Sequence, residues 1–173
     1  MLVFNKVFPE KFKYSDEGNF LNEYLHGQLL QQKPGNVIDF TTKDINGKTV
    51  TLSKLQDKIV LLHFWATWCS PCMAELPVIK ELNEMYRLRG VQFVSVALKS
   101  SLADFNRVVK SQQMDWIQIY DKPDVENKYG NFPVPRICLI DRSGKLIYDN
   151  AGMNKTDDVK LGQLRQMLNG IAK

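Results

Sequence analysis

Between Ile59 and Leu76 the chain runs Ile-Val-Leu-Leu-His-Phe-Trp-Ala-Thr-Trp-Cys-Ser-Pro-Cys-Met-Ala-Glu-Leu, and this stretch restricts the fold more than any other. Its first half is large and β-branched, the pattern of a strand buried on both faces. After the Cys-x-x-Cys pair, apolar residues return at Leu76, Ile79, Leu82 and Tyr86, the spacing of a helix with one inward face. Two thiols, Cys69 and Cys72, therefore stand where a buried strand hands over to a helix.

That placement has a chemical consequence. The start of a helix carries unpaired backbone N–H groups and about half a positive charge, and both favour a thiolate over a thiol. Cys69 lies just ahead of the first turn. Cys72 lies about one turn further on, within reach of a disulfide but on the inner side. An open nucleophile with a shielded resolving partner is what thiol–disulfide exchange requires. Pro71 is tolerated because a first-turn residue has no intrahelical N–H bond to lose. Ser70 and Pro71 between the sulfurs, and Trp68 ahead of them, are candidate substrate contacts. A structural zinc needs about four ligands, and only Cys138, His26 and His63 remain, none in a second spaced pair, so no residue is assigned to a metal.

Trp68-Cys69-Ser70-Pro71-Cys72 after Phe64-Trp65-Ala66 resembles the thioredoxin superfamily. Glu75, three residues after Cys72, followed by Leu76-Pro77, makes the resemblance most like the TlpA/ResA-type thiol–disulfide oxidoreductases. Pro77 stands where the superfamily keeps a helix-bending proline. The resemblance implies a thioredoxin-like α/β fold: a central mixed sheet flanked by helices, with an N-terminal β-hairpin and a helical extension. It also implies roles. Val134-Pro135-Arg136-Ile137-Cys138-Leu139-Ile140-Asp141 stands where these enzymes carry Val-Pro-Thr-x-Phe-Leu-Ile-Asp, which makes Pro135 the cis-proline facing the cysteines. The residues alone do not require a cis bond, since only about one X–Pro bond in twenty is cis. Val134 and Pro135 then hold the substrate backbone by strand-like hydrogen bonds. Arg136 replaces the usual small polar residue, and a guanidinium there favours acidic substrates or stabilises the thiolate.

Two further groups are candidates for handling the proton of Cys72. Glu75 sits partly buried near that sulfur by the resemblance; the other reading is a solvated helix-face glutamate. His63 lies six residues before Cys69, where the superfamily often has a buried Asp or Asn beneath the resolving cysteine. Strand alternation allows it to face the helix and exchange a proton with Cys72; otherwise it is a core histidine satisfied by a backbone group. Cys138, between apolar strand residues, reads as a small core hydrophobe.

The rest of the chain supplies a single α/β domain over residues 37–173, preceded by an extension over 1–36. In the extension a helix is expected from Ser15-Asp16 to Gln32, ended by Pro34-Gly35, and it packs on the domain or docks a partner. Val37–Phe40 and Thr49–Leu52 flank Asn46-Gly47, a hairpin signal. Val91–Leu98 reads as a strand parallel to the central one, because some 20 helical residues separate them. A second helix opens at Ser101, a short strand covers Trp116–Tyr120, and a helical turn covers Asp124–Tyr129. A hairpin at Arg142–Lys145 leads to Leu146–Tyr148, and a last helix from about Thr156 turns Leu161, Leu164, Leu168 and Ile171 inward.

At 173 residues and 44% apolar composition the chain is long enough for one ordinary core. A net charge of +4 without a run of basic residues gives no footprint for nucleic acid. No stretch is long enough to span a bilayer, and the start lacks the apolar run of a signal peptide. That leaves a cytosolic protein, or one whose targeting segment is absent from this chain. The resemblance implies the latter: a bacterial periplasmic or otherwise extracytoplasmic reductant of protein disulfides, monomeric, fed by a membrane electron donor. Its only redox group is the Cys69–Cys72 disulfide, with no added cofactor. Two other functions are compatible with the fold. A peroxiredoxin-like thiol peroxidase reacts rapidly with hydrogen peroxide; a redox-inert binding module keeps its function when Cys69 becomes Ser.

Overall fold

The computed structural model describes residues 39–55, 57–120, 125, 128–129, 133–150 and 157–172. The expected extension over 1–36 lies outside them, as do Val37 and Ile38. The strands are β1 (Thr41–Lys43), β2 (Thr49–Thr51), β3 (Ile59–Trp65), β4 (Val91–Ala97), β5 (Ile117–Tyr120), β6 (Arg136–Ile140) and β7 (Leu146–Asp149). The helices are α1 (Ser70–Tyr86), α2 (Leu102–Ser111) and α3 (Asp157–Ile171). Five strands form one mixed sheet in the order β5-β4-β3-β6-β7, with β3 at its centre. β3, β4 and β5 run parallel, while β6 runs antiparallel to β3 and β7 to β6.

The hairpin is real but displaced from the expected strand. β1 covers Thr41–Lys43, with Asp39 and Phe40 of the expected strand ahead of it, Thr41 opposite Thr51 and Lys43 opposite Thr49. The turn imposes this. Residues pair symmetrically about Asn46, and the Asp44 carboxylate closes the loop by accepting from the backbone N–H groups of Asn46 and Lys48. Gly47 adopts φ 77°, a left-handed conformation that favours glycine. The hairpin forms its own two-stranded sheet beside the main one.

All seven residues of β3 are buried, and their alternation divides the interior in two. Leu61 and Trp65 pack against Leu76 and Ile79 of α1, Phe105 of α2 and Leu164 of α3. Val60, Leu62 and Phe64 pack on the other face with Phe40, Val50 and Tyr129. His63 falls on the α1 side by the same alternation. α1 passes through Pro77 and tightens into a 3₁₀ turn at Arg87–Arg89, ended by Gly90 at φ 79°. α2 starts as expected, with the Ser101 hydroxyl accepting from the Asp104 N–H.

The second core holds a buried polar cluster. The Arg136 guanidinium donates to both carboxylate oxygens of Asp149, at 3.0 and 2.8 Å, and to the Tyr129 carbonyl at 3.0 Å. Burial and the charge around them push the Tyr129 phenol and the Cys138 thiol well above their ordinary ranges. Burial, then the Glu75 carboxylate, push Tyr148 up to about 12. These groups stay neutral in the folded protein at a pH where the unfolded chain has lost their protons. Stability is therefore expected to be intact below about pH 8 and to fall as pH climbs through 9 to 12. Urea unfolding midpoints measured from pH 7 to 11 check this; a flat profile contradicts it.

Candidate active site

Cys69 is the N-cap of α1, and its Sγ accepts a hydrogen bond from the Cys72 N–H at 3.2 Å. The helix thus aims its first free N–H groups at this sulfur because the chain leaves β3 through the short Ala66–Trp68 turn. The two sulfurs are joined in a disulfide, with Cα atoms 5.2 Å apart. Cys72 is fully enclosed, whereas Cys69 keeps 5% of its surface. Cys69 is thus the slightly more accessible residue of the pair.

Around Cys69 lie the other sequence-assigned contacts. Trp68 is 62% exposed, and its indole N–H donates to the Lys99 carbonyl at 2.8 Å. Ser70 and Pro71 are exposed on the first turn of α1. Val134 and Pro135 are half-buried, the peptide between them is cis, and the Val134 carbonyl oxygen lies 3.6 Å from Cys69 Sγ. The loop after β4 supports this side: the Ser100 hydroxyl accepts from the Thr67 N–H, and Tyr120 donates to the Ser100 carbonyl.

Arg136 is not part of this rim. It is 3% exposed, and its guanidinium is engaged by Asp149 and Tyr129 on the sheet face opposite α1. Period-two alternation explains the placement: Ile137 and Leu139 face α1, so Arg136 and Cys138 point away. The expectation of a guanidinium acting on substrate or thiolate is corrected accordingly. Burial works to lower the basicity of Arg136, but the hydrogen bonds and charge of Asp149 outweigh it, and the group stays charged. Cys138 is fully buried, in keeping with a core role.

Beneath Cys72 the structure brings Glu75 and His63 together. Glu75 is 4% exposed, one turn beyond Cys72 on the inner face of α1, and its Oε1 lies 3.1 Å from His63 Nε2. The contact is short without being well aligned as a hydrogen bond. On the other side of the ring, Nδ1 lies 3.4 Å from the Ser95 hydroxyl, which also accepts from the Trp116 indole N–H at 2.8 Å. The glutamate is thus not solvated, and the histidine's ring nitrogens face side chains rather than a backbone group. Ser95 and Trp116 escaped sequence reasoning. The available signal was a lone hydroxyl in the apolar run Val91–Ala97, in register with His63 once β3 and β4 pair. Among the described residues no cluster of three or more His, Cys, Asp or Glu side chains has the arrangement of a metal site.

The redoxin family model matches residues 33–168 of this chain. The chain belongs to the redoxin family. Within it, the thiol-disulfide oxidoreductase ResA of Geobacillus thermodenitrificans is 32% identical over 123 residues, 70% of this chain and 71% of that protein. ResA of Geobacillus kaustophilus is 30% identical over the same shares. Among solved structures, a candidate thiol:disulfide interchange protein DsbE from Chlorobium tepidum superposes with a TM-score of 0.70 at 28% identity, covering 81% of this chain and 98% of its own. This redoxin is a thioredoxin-like, TlpA/ResA-type thiol–disulfide oxidoreductase, with Cys69 and Cys72 as its pair. A peroxidase role is not favoured, because the cysteine at the strand–helix junction has a partner three residues on and is bonded to it.

Proposed function

We propose that this redoxin reduces protein disulfides by two-step exchange, and the observation that carries the reading is the Cys69–Cys72 couple set at the start of α1 beside the Val134 carbonyl. In the reduced enzyme the Cys69 thiolate attacks one sulfur of the substrate disulfide. The substrate S–S bond breaks, its other sulfur leaves as a thiolate, and a Cys69–substrate disulfide forms. Cys72 gives its proton to Glu75 and attacks Cys69 Sγ, releasing the second substrate thiolate. Two electrons pass from the cysteine pair to the substrate, whose two sulfurs leave as thiolates. The Cys72 proton ends on Glu75, the Cys69 proton having gone to solvent before the attack, and the enzyme ends in the disulfide state seen here. Trp68, Ser70, Pro71, Val134 and Pro135 form the surface that receives the substrate, with the Val134 backbone available to pair with an extended segment.

The donor that restores the dithiol is proposed to be a membrane protein, with the enzyme acting as a monomer in an extracytoplasmic compartment; the resemblance to ResA supports this reading. No helix among the described residues is long and apolar enough to cross a membrane. The reduction potential of the couple tests direction. A value near −250 mV or below is expected of a reductant, and one above about −150 mV makes the protein an oxidant.

Glu75→Gln is expected to slow the resolving step by about 10²-fold, the usual contribution of one proton acceptor, and to leave the first attack unchanged. Rapid-quench kinetics separate the two steps. An unchanged resolving rate removes Glu75 from the mechanism.

A further inference from the structure

His63 has two neutral forms, and its neighbours discriminate between them. The Trp116 indole can only donate, so its N–H takes one lone pair of the Ser95 oxygen. The Ser95 hydroxyl proton still needs an acceptor, because Ser95 is fully buried. His63 Nδ1 is the acceptor that the structure supplies, at 3.4 Å. An unprotonated Nδ1 places the ring proton of a neutral imidazole on Nε2, which lies 3.1 Å from Glu75 Oε1. The indole proton then goes to the hydroxyl and the hydroxyl proton to Nδ1, while Nε2–H faces the carboxylate oxygen at ion-pair distance. The opposite form has Nδ1 donating to Ser95. It strands the hydroxyl proton in the core and sets the Nε2 lone pair against the carboxylate oxygen. An unmet buried donor costs about 1–3 kcal/mol.

We propose that Ser95, anchored by Trp116, is a positioning residue that fixes His63 as the Nε2–H form and thereby orients the Glu75 carboxylate toward Cys72. The inference rests on the proton-acceptor reading of Glu75 given above. His63 Nε2 faces Oε1, and Cys72 lies one turn back on the same buried face of α1. Glu75 also acts on the Tyr148 phenol on β7, helping to keep it protonated. Trp116 precedes β5 and Ser95 lies within β4, so two strands outside the cysteine motif help to set the resolving site.

The chain has two histidines, so His26→Gln leaves His63 as the sole imidazole. Long-range ¹H–¹⁵N correlation spectra of that protein in the disulfide form are expected to show Nε2 protonated and Nδ1 bare at neutral pH. A proton on Nδ1, alone or together with Nε2, overturns the proposal without any further variant. Ser95→Ala is expected to give a mixture of the two forms and to slow resolution by Cys72 by about tenfold, while Ser95→Thr, which keeps the hydroxyl, restores both. An unchanged Nε2–H form in Ser95→Ala also overturns it. The proton-acceptor reading fails separately, if Glu75→Gln resolves at the normal rate whatever the tautomer of His63.

Discussion

Replacing Cys69 with Ser is expected to abolish disulfide reduction, lowering turnover by roughly 10³-fold or more, the scale seen when a covalent nucleophile is removed. The hydroxyl fits the N-cap position and still accepts the Cys72 N–H bond, so the helix start should survive and the loss should be chemical. Cys72→Ser differs in kind. The first attack remains possible because Cys69 is intact, but no resolving sulfur follows, so the mixed disulfide should accumulate and be visible as a covalent complex on a non-reducing gel. Mass spectrometry of the trapped adduct identifies the linked sulfur. If Cys72→Ser forms no adduct while Cys69→Ser does, the assignment of outer and inner roles is reversed, and the accessibility difference between the two sulfurs misleads.

The largest effect on stability is expected far from the sulfurs. Asp149→Ala removes the carboxylate that accepts two hydrogen bonds from the charged, buried Arg136 guanidinium, and breaking one side of such a pair costs about 3–5 kcal/mol. For a domain whose total stability is of the order of 5–15 kcal/mol, that loss brings it close to unfolding. Replacing both partners, Arg136→Met with Asp149→Leu, removes the stranded charge and is expected to recover most of the loss. Chemical denaturation of the single and double variants decides it. A double variant as weak as the single one shows that the pair contributes through other contacts.

The comparison of sequence and structure is uneven in an informative way. The strand–cysteine–helix stretch was legible because each signal was local: an apolar run, a helical repeat from Leu76 to Tyr86, and thiols at the junction. The strand sequence from β3 to β7, with its helices, followed from turn residues and spacing in the same manner. The hairpin's first strand lies past Asp39 and Phe40 because pairing about Asn46 selects Thr41–Lys43. Arg136 was misplaced because adjacency to Pro135 along the chain says nothing about the face its side chain takes. The alternation through Ile137 and Leu139 would have shown it. Ser95 and Trp116 were missed because the contacts are remote along the chain: Ser95 reaches His63 from 32 positions away, and Trp116 bonds to Ser95 from 21 further on.

What the amino-acid order determined by itself was the reacting pair and the scaffold that presents it. A strand buried on both faces must enter the sheet centre, and a helix starting at its end must point unpaired N–H groups at whatever residue caps it. What only the tertiary structure decided was which charged and polar groups surround that pair. It buried Arg136 against Asp149 on one face and set Glu75 against His63 on the other. The physical reason is that burying charge is tolerable only where a partner is within hydrogen-bond reach, and those partners are brought together by sheet register and packing, which no local stretch of sequence contains.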